Sequence, residues 1–238
     1  FSITASDYDN DGDLDLFLCG YNPPAGYEGE SGVMGEPMPY HDARNGGKNK
    51  LLRNDGNWNF TEVTEEVGLN QNNDRFSFAA SWEDYDRDGD PDLYVANDYG
   101  RNNLYQNNAG KFIDVSQKLG VQDMSAGMSV SWGDYNRDGL FDLYVSNMFS
   151  SAGNRITYQR QFKSDAESVQ VEGFRRHARG NSLFEGVSGN PFKDVSETTN
   201  VTMGRWAWGS RFADIDNDGW LDLLVANGFI TSPDPGDL

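Results

Sequence analysis

The nonapeptide "DYDNDGDLD", Asp7 to Asp15, returns three times along the chain. The later copies are "DYDRDGDPD" (Asp84 to Asp92), "DYNRDGLFD" (Asp134 to Asp142) and "DIDNDGWLD" (Asp214 to Asp222). Five aspartates in the first copy repel one another, so the stretch must lie open to water or gather around something positive. Each copy follows an apolar or small-residue stretch, "FSITAS", "FSFAASWE", "MSVSWG" or "WAWGSRFA". Each precedes another: "LFLCG", "LYVAN", "LYVSN" or "LLVAN". Every copy therefore reads as strand, acidic loop, strand, which is a hairpin.

A second module lies between the acidic loops. It reads "NKLLRNDGNWNFTEVTEEVGL" (Asn49 to Leu69), "NNLYQNNAGKFIDVSQKLGV" (Asn102 to Val121) and "NSLFEGVSGNPFKDVSETTNV" (Asn181 to Val201). The shared skeleton is Asn-x-Leu, a turn rich in Asn and Gly, then Phe-x-acid-Val, which fits two more short strands. From second module to next acidic loop the intervals are 35, 32 and 33 residues; from acidic loop to second module they are 42, 18 and 47. Length varies in one connection only, and two insertions, roughly 20–48 and 148–180, account for it. Without them each unit has about 50 residues and four short strands, the size of a propeller blade. The expected fold is all-β, with blade units at about 1–75, 76–125, 126–202 and 203–238. Helical turns are expected only at "EVTEEVGL", "VSQKLG" and in part of 160–179. That makes about three and a half blades, where closed propellers have 4–8. The open edges are expected to pair with the rest of a larger protein or with another chain.

Composition narrows the function classes. A net charge of −19 excludes a nucleic-acid partner, which needs a basic face. Hydrophobic residues at 37%, with 13% aromatic, argue against disorder. No apolar run approaches the ~20 residues that span a bilayer. Cys19 is the one cysteine, so no intrachain disulfide forms. Opening at Phe1, the chain reads as a mature or trimmed piece.

Numbered from its first residue, each loop carries side-chain oxygens at positions 1, 3, 5 and 9. The sets are Asp7, Asp9, Asp11, Asp15; Asp84, Asp86, Asp88, Asp92; Asp134, Asn136, Asp138, Asp142; and Asp214, Asp216, Asp218, Asp222. Position 6 is always glycine (Gly12, Gly89, Gly139, Gly219), as a turn with positive φ requires. Position 7 is Asp13, Asp90, Leu140 or Trp220, so its common contribution is a backbone carbonyl. Such an oxygen set suits calcium; zinc would want His or Cys, and magnesium keeps its waters. A plain acidic β-turn uses the same residue types, but four in-phase copies favour about four calcium sites. Filling them would bring the charge from −19 to about −11. The loops are not EF-hands, because position 12 is Leu18, Val95, Val145 or Val225 rather than glutamate.

These motifs resemble the FG-GAP/VCBS repeat proteins. "NMFSSAGNR" (Asn147 to Arg155), "RHARGNSLF" (Arg176 to Phe184) and "GRWAWGSRFADIDNDGWLDLLVANGFIT" (Gly204 to Thr231) look like signatures of bacterial relatives of cartilage acidic protein, the ASPIC/UnbV-associated group. The resemblance implies a β-propeller of integrin-α type, secreted or surface-exposed, with calcium in the blade loops at the positions named above.

Other residues offer less. Trp82, Trp132, Trp206 and Trp208 sit in the strands entering the loops, where blade packing is favoured over a sugar platform. His41 and His177 lie in the insertions. The basic run "FRRHARG" is expected either to pair with an acidic surface of the same protein or to bind an anionic glycan. No Ser-His or Cys-His arrangement stands out. The expected function is a non-catalytic, extracellular calcium-binding module for adhesion, matrix or assembly. The alternative is a glycan-binding propeller built on the insertions and nearby aromatics.

Overall fold

Each acidic loop turns one strand back on another, and the second module adds its own pair to the same sheet. The computed structural model describes residues 2–22 and 42–228. The first sheet is β1 (Ile3–Ser6), β2 (Asp15–Leu18), β3 (Lys50–Asn54) and β4 (Phe60–Glu62). The second is β5 (Ser77–Glu83), β6 (Asp92–Asn97), β8 (Asn103–Asn108) and β9 (Lys111–Asp114). Short strands β7 (Gly100–Arg101) and β10 (Met124–Ser125) pair with each other beside it. The third sheet is β11 (Gly127–Gly133), β12 (Asp142–Asn147), β13 (Ser182–Glu185) and β14 (Lys193–Asp194). A fourth holds, among the described residues, β15 (Ala207–Ala213) and β16 (Asp222–Asn227). Pairing within these sheets is antiparallel throughout.

The sheets stack in chain order, with β1 against β5, β5 against β11 and β11 against β15. Alternation along the second strand assigns its side chains to two different cores. In β6, Leu93 and Val95 join the core shared with the first sheet. Tyr94 and Ala96 of the same strand join the core shared with the third. Likewise, in β12 Leu143 and Val145 point back and Tyr144 points forward. Both strands are buried along their whole length, so they read as unbroken apolar runs. The molecule is mostly β, its repeats are consistent with a β-propeller-type fold, and no closed ring of sheets is present among the described residues.

"EVTEEVGL" and "VSQKLG" form turns. Insertion 148–180 folds as two helices, α1 (Ser151–Thr157) and α2 (Ser168–Arg179), packed on each other, with α2 against β10. Helix α1 was not expected; Ser150 starts it by accepting a hydrogen bond from the Gly153 N–H. The basic run lies on α2 and is paired within the protein. Arg176 reaches Asp123 at 2.8 Å and also Asp194, and Arg179 meets Asp194 at 3.1 Å. Burial raises the Asp194 carboxyl, but Arg176, the Ser196 hydroxyl and Arg179 outweigh it and hold it well below the usual range. Most of the 20–48 insertion, with His41, lies outside the described residues.

Candidate metal centres in the acidic loops

The four loops share one backbone. At position 6, Gly12, Gly89, Gly139 and Gly219 have φ of 96°, 95°, 85° and 86°. A Cβ at Gly12, Gly89 or Gly139 would meet nothing within 4 Å, so it is the dihedral that demands glycine there and not crowding. Position 4 is also left-handed, at Asn10, Arg87, Arg137 and Asn217, with φ from 59° to 62°. The sequence reading missed this second left-handed residue, and only the asparagines hinted at it.

Position 1 organises each turn. Asp7 accepts from the N–H groups of Asp11 and Gly12 at 3.0 and 2.9 Å. The same pair of bonds recurs at Asp84, Asp134 and Asp214, between 2.8 and 3.1 Å. Position 5 accepts from the N–H of position 7, as Asp11 does from Asp13 at 2.9 Å. Asp88, Asp138 and Asp218 do the same towards Asp90, Leu140 and Trp220. The side chain of Asp90 turns away from its own loop, accepting from Asn10 and from the Ala109 N–H.

Position 9 ties the loop to the second module. Asp15 accepts from Tyr8 N–H within the loop and from Asn54 N–H on β3. Asp92 does so from Tyr85 and Asn107, and Asp142 from Tyr135 and Gly186. These three carboxyls are buried, and burial pushes them up to about 6, 8 and 6 respectively, against the pull of those N–H groups. Asp222 accepts from Ile215 N–H, and among the described residues no second-module N–H reaches it.

Carboxylate oxygens of Asp7, Asp9 and Asp15 lie within 4.8 Å of one another, as do those of Asp84, Asp86 and Asp92, and of Asp214, Asp216 and Asp218. In the third loop Asn136 stands where the others have aspartate, and its amide turns to Asp138. Asp9 Oδ1 is buried beside its two partner carboxylates and accepts no hydrogen bond. A buried oxygen without a donor, among converging carboxylates, is what a hard cation would satisfy. The residues fit calcium on that ground.

Of the four tryptophans, Trp82 and Trp132 pack into the cores between sheets. Trp206 and Trp208 remain 39% and 40% exposed, in a fourth sheet that no further sheet covers among the described residues. A family model described as FG-GAP-like repeat matches residues 7–95, 84–145 and 174–225. No curated protein matches the chain.

Proposed function

Since this chain belongs to the FG-GAP-like repeat family, we propose that it is a protein-interaction repeat module whose acidic loops hold structural calcium. Repeats of this family are generally non-enzymatic and typical of extracellular or surface proteins. Among the described residues no helix is long and apolar enough to cross a membrane. The reading places the module outside the cell, in adhesion, matrix or assembly contacts. The three sequence stretches noted above ally it with bacterial relatives of cartilage acidic protein.

The observation that carries the calcium reading is the orphaned Asp9 Oδ1 among converging carboxylates. Side chains at positions 1, 3, 5 and 9 of each loop would hold the ion, with the carbonyls of Asp13, Asp90, Leu140 and Trp220. Bound calcium neutralises carboxylates that otherwise repel, which lets Asp15, Asp92 and Asp142 stay ionised although buried. Modules in calcium-rich surroundings need dissociation constants of only about 10⁻⁴–10⁻³ M. Bound calcium per chain, measured with thermal unfolding before and after chelation, tests this. Close to four ions and a large fall in melting temperature are expected; negligible calcium with no shift sinks the reading.

One cleft favours glycan binding as a second reading. It holds about 390 Å³ between the second and third sheets and is lined by Tyr85, Phe141 and Phe192 with Arg87 and Lys118. A glycan array on the calcium-loaded protein tests it, and a blank array removes it.

A further inference from the structure

The junction of the second and third sheets is built from the same parts as the junction of the first and second. Phe112 donates its N–H to Val67 O at 2.8 Å across the first junction, and Phe192 donates to Leu119 O at 3.0 Å across the second. Across the first, the β8–β9 turn closes on the acidic loop. Asn107 Nδ2 donates to Tyr8 O at 2.8 Å, and a Cβ on Gly110 would stand 3.7 Å from the Tyr8 ring and 3.5 Å from Asp9 Cβ. The polar groups there are matched within the protein: Lys111 lies 3.9 Å from Glu66, and Asn10 donates to Asp90.

Across the second junction these pieces are replaced. Gly186 stands in the place of Asn107 and has no side chain to reach the neighbouring loop; Phe192 follows it by six positions, where Phe112 follows Asn107 by five. Arg87 and Lys118 take the places of Asn10 and Glu66, and Pro191 takes that of Lys111. The backbones also stand further apart. A Cβ on Gly68 would come within 2.5 Å of Phe112 O, whereas on Gly120 it would meet nothing nearer than Phe192 O at 3.7 Å. What opens there is the 390 Å³ cleft. Arg87 rests over the Phe141 ring, and neither it nor Lys118 makes an ion pair or hydrogen bond among the described residues. The Tyr85 hydroxyl makes no hydrogen bond there either. Asp86, also in the lining, is engaged by Gln106 and by its own loop.

We propose that this cleft binds an acidic saccharide, a sugar bearing carboxylate or sulfate, through Arg87 and Lys118. The chain carries −19 overall, so an anion is held only where cations lie unpaired at close range. A guanidinium offers two parallel N–H bonds to such an anion, and the Lys118 ammonium adds a second charge. Tyr85, Phe141 and Phe192 give the sugar ring an apolar surface to lie against, and the Tyr85 hydroxyl is left to meet a sugar hydroxyl. An acidic peptide fits less well. Peptides are held mainly along strand edges or in helix grooves, and the walls of this cleft are a loop and turns. The basic run on α2, the sequence's own candidate for an anionic glycan, is paired with Asp123 and Asp194, so the unpaired cations are here instead. The inference rests on the glycan reading of this cleft and names the class of glycan.

Calorimetric titrations of the calcium-supplemented 238-residue protein test this with four probes: digalacturonate, a sulfated galactose disaccharide, the uncharged galactose disaccharide and a hexaglutamate peptide. An acidic disaccharide is expected to bind saturably and at least about tenfold more tightly than the uncharged one. Which acidic sugar binds distinguishes carboxylate from sulfate as the anion recognised. Arg87→Asn and Lys118→Glu install the first junction's residues at exposed positions, and asparagine tolerates the left-handed backbone of Arg87. Each should weaken that binding at least about tenfold. Lys50→Glu, an equal change of charge at an exposed position of the first sheet, should leave it unchanged. Undiminished binding by the Arg87 and Lys118 variants would overturn the site. Equal binding of the uncharged disaccharide would overturn the acidic class and leave the glycan reading standing, whereas no binding of any saccharide would remove both. Hexaglutamate binding as tightly as the sugars would replace the saccharide with an acidic peptide.

Discussion

The third and fourth sheets begin from nearly the same sequence and end in different environments. "DLYVSN" in β12 and "DLLVAN" in β16 differ at two positions of six. Yet β12 is buried throughout, while in β16 Leu224, Ala226 and Asn227 are exposed. Neighbours make the difference, since β12 lies between β11 and β13 in its sheet and between two cores across it. Side chains at matching positions take up the contact from sheet to sheet. Tyr85 stacks on Trp132 at 6.3 Å and Tyr135 on Phe212 at 6.4 Å, whereas Ile215, at the same loop position in the fourth sheet, is 59% exposed. Stability in such a stack is a sum of unit and interface terms, so a unit lacking one interface is weaker by that term.

The opposite end of the stack differs again. Opposite Leu93, Leu143 and Leu223 stand Trp82, Trp132 and Phe212, each packed on the preceding sheet. Opposite Leu16 stands Ala5. The first sheet therefore lacks the aromatic that the others press backwards. The largest expected contrast follows: Trp132→Ala should lower stability by about 3–5 kcal/mol, as for large aromatics in cores. Ala5→Trp, on a face that no other sheet covers among the described residues, should change it by less than about 0.5 kcal/mol. Denaturant unfolding of both variants checks this, and a comparable loss in each would mean that the first sheet's outer face is covered.

A smaller contrast concerns position 9. Asp92→Ala removes the acceptor for two N–H groups, Tyr85 and Asn107, and should cost about 2–4 kcal/mol in calcium-containing buffer. Asp222→Ala removes the acceptor for one and should cost under about 1 kcal/mol. Equal losses would show that Asp222 already has a second donor.

Much of this was legible in the residues. Hairpins around the acidic loops followed from apolar runs flanking Asp-rich turns, and the third strands from the repeated Asn-x-Leu. Glycine at position 6 announced its own backbone, because only a positive φ explains glycine in four copies. What stayed hidden was set by neighbours distant in the chain. Arginine at position 4 of two loops disguised a left-handed residue, since propensity there gives way to the turn's hydrogen bonds. Exposure of Trp206 and Trp208 could not be read from strands that look like those carrying the half-buried Trp82 and Trp132. Helix α1 contains Gly153 and no acidic residue in its first turn, so it lacked most of the usual starting signals.

The smallest expected effect lies in the links between consecutive loops. Position 4 of one loop reaches position 7 or 8 of the next. Asn10 Nδ2 donates to Asp90 at 2.9 Å, Arg87 lies 5.6 Å over the Phe141 ring, and Arg137 lies 4.2 Å over Trp220. Asn217 holds the same place in the last loop and reaches no such partner among the described residues. Arg137→Ala should therefore cost about 0.5–1 kcal/mol, the range for an exposed cation over a ring. Asn217→Ala should cost close to nothing. Because Trp220 supplies a proposed carbonyl ligand, Arg137→Ala should also weaken calcium binding at the fourth loop more than at the first. Tryptophan fluorescence during a calcium titration reads that selectively, since the ring is beside the site. An unchanged titration with an unchanged melting temperature would reduce the loop-to-loop contacts to incidental neighbours, leaving the inter-sheet cores to hold the stack alone.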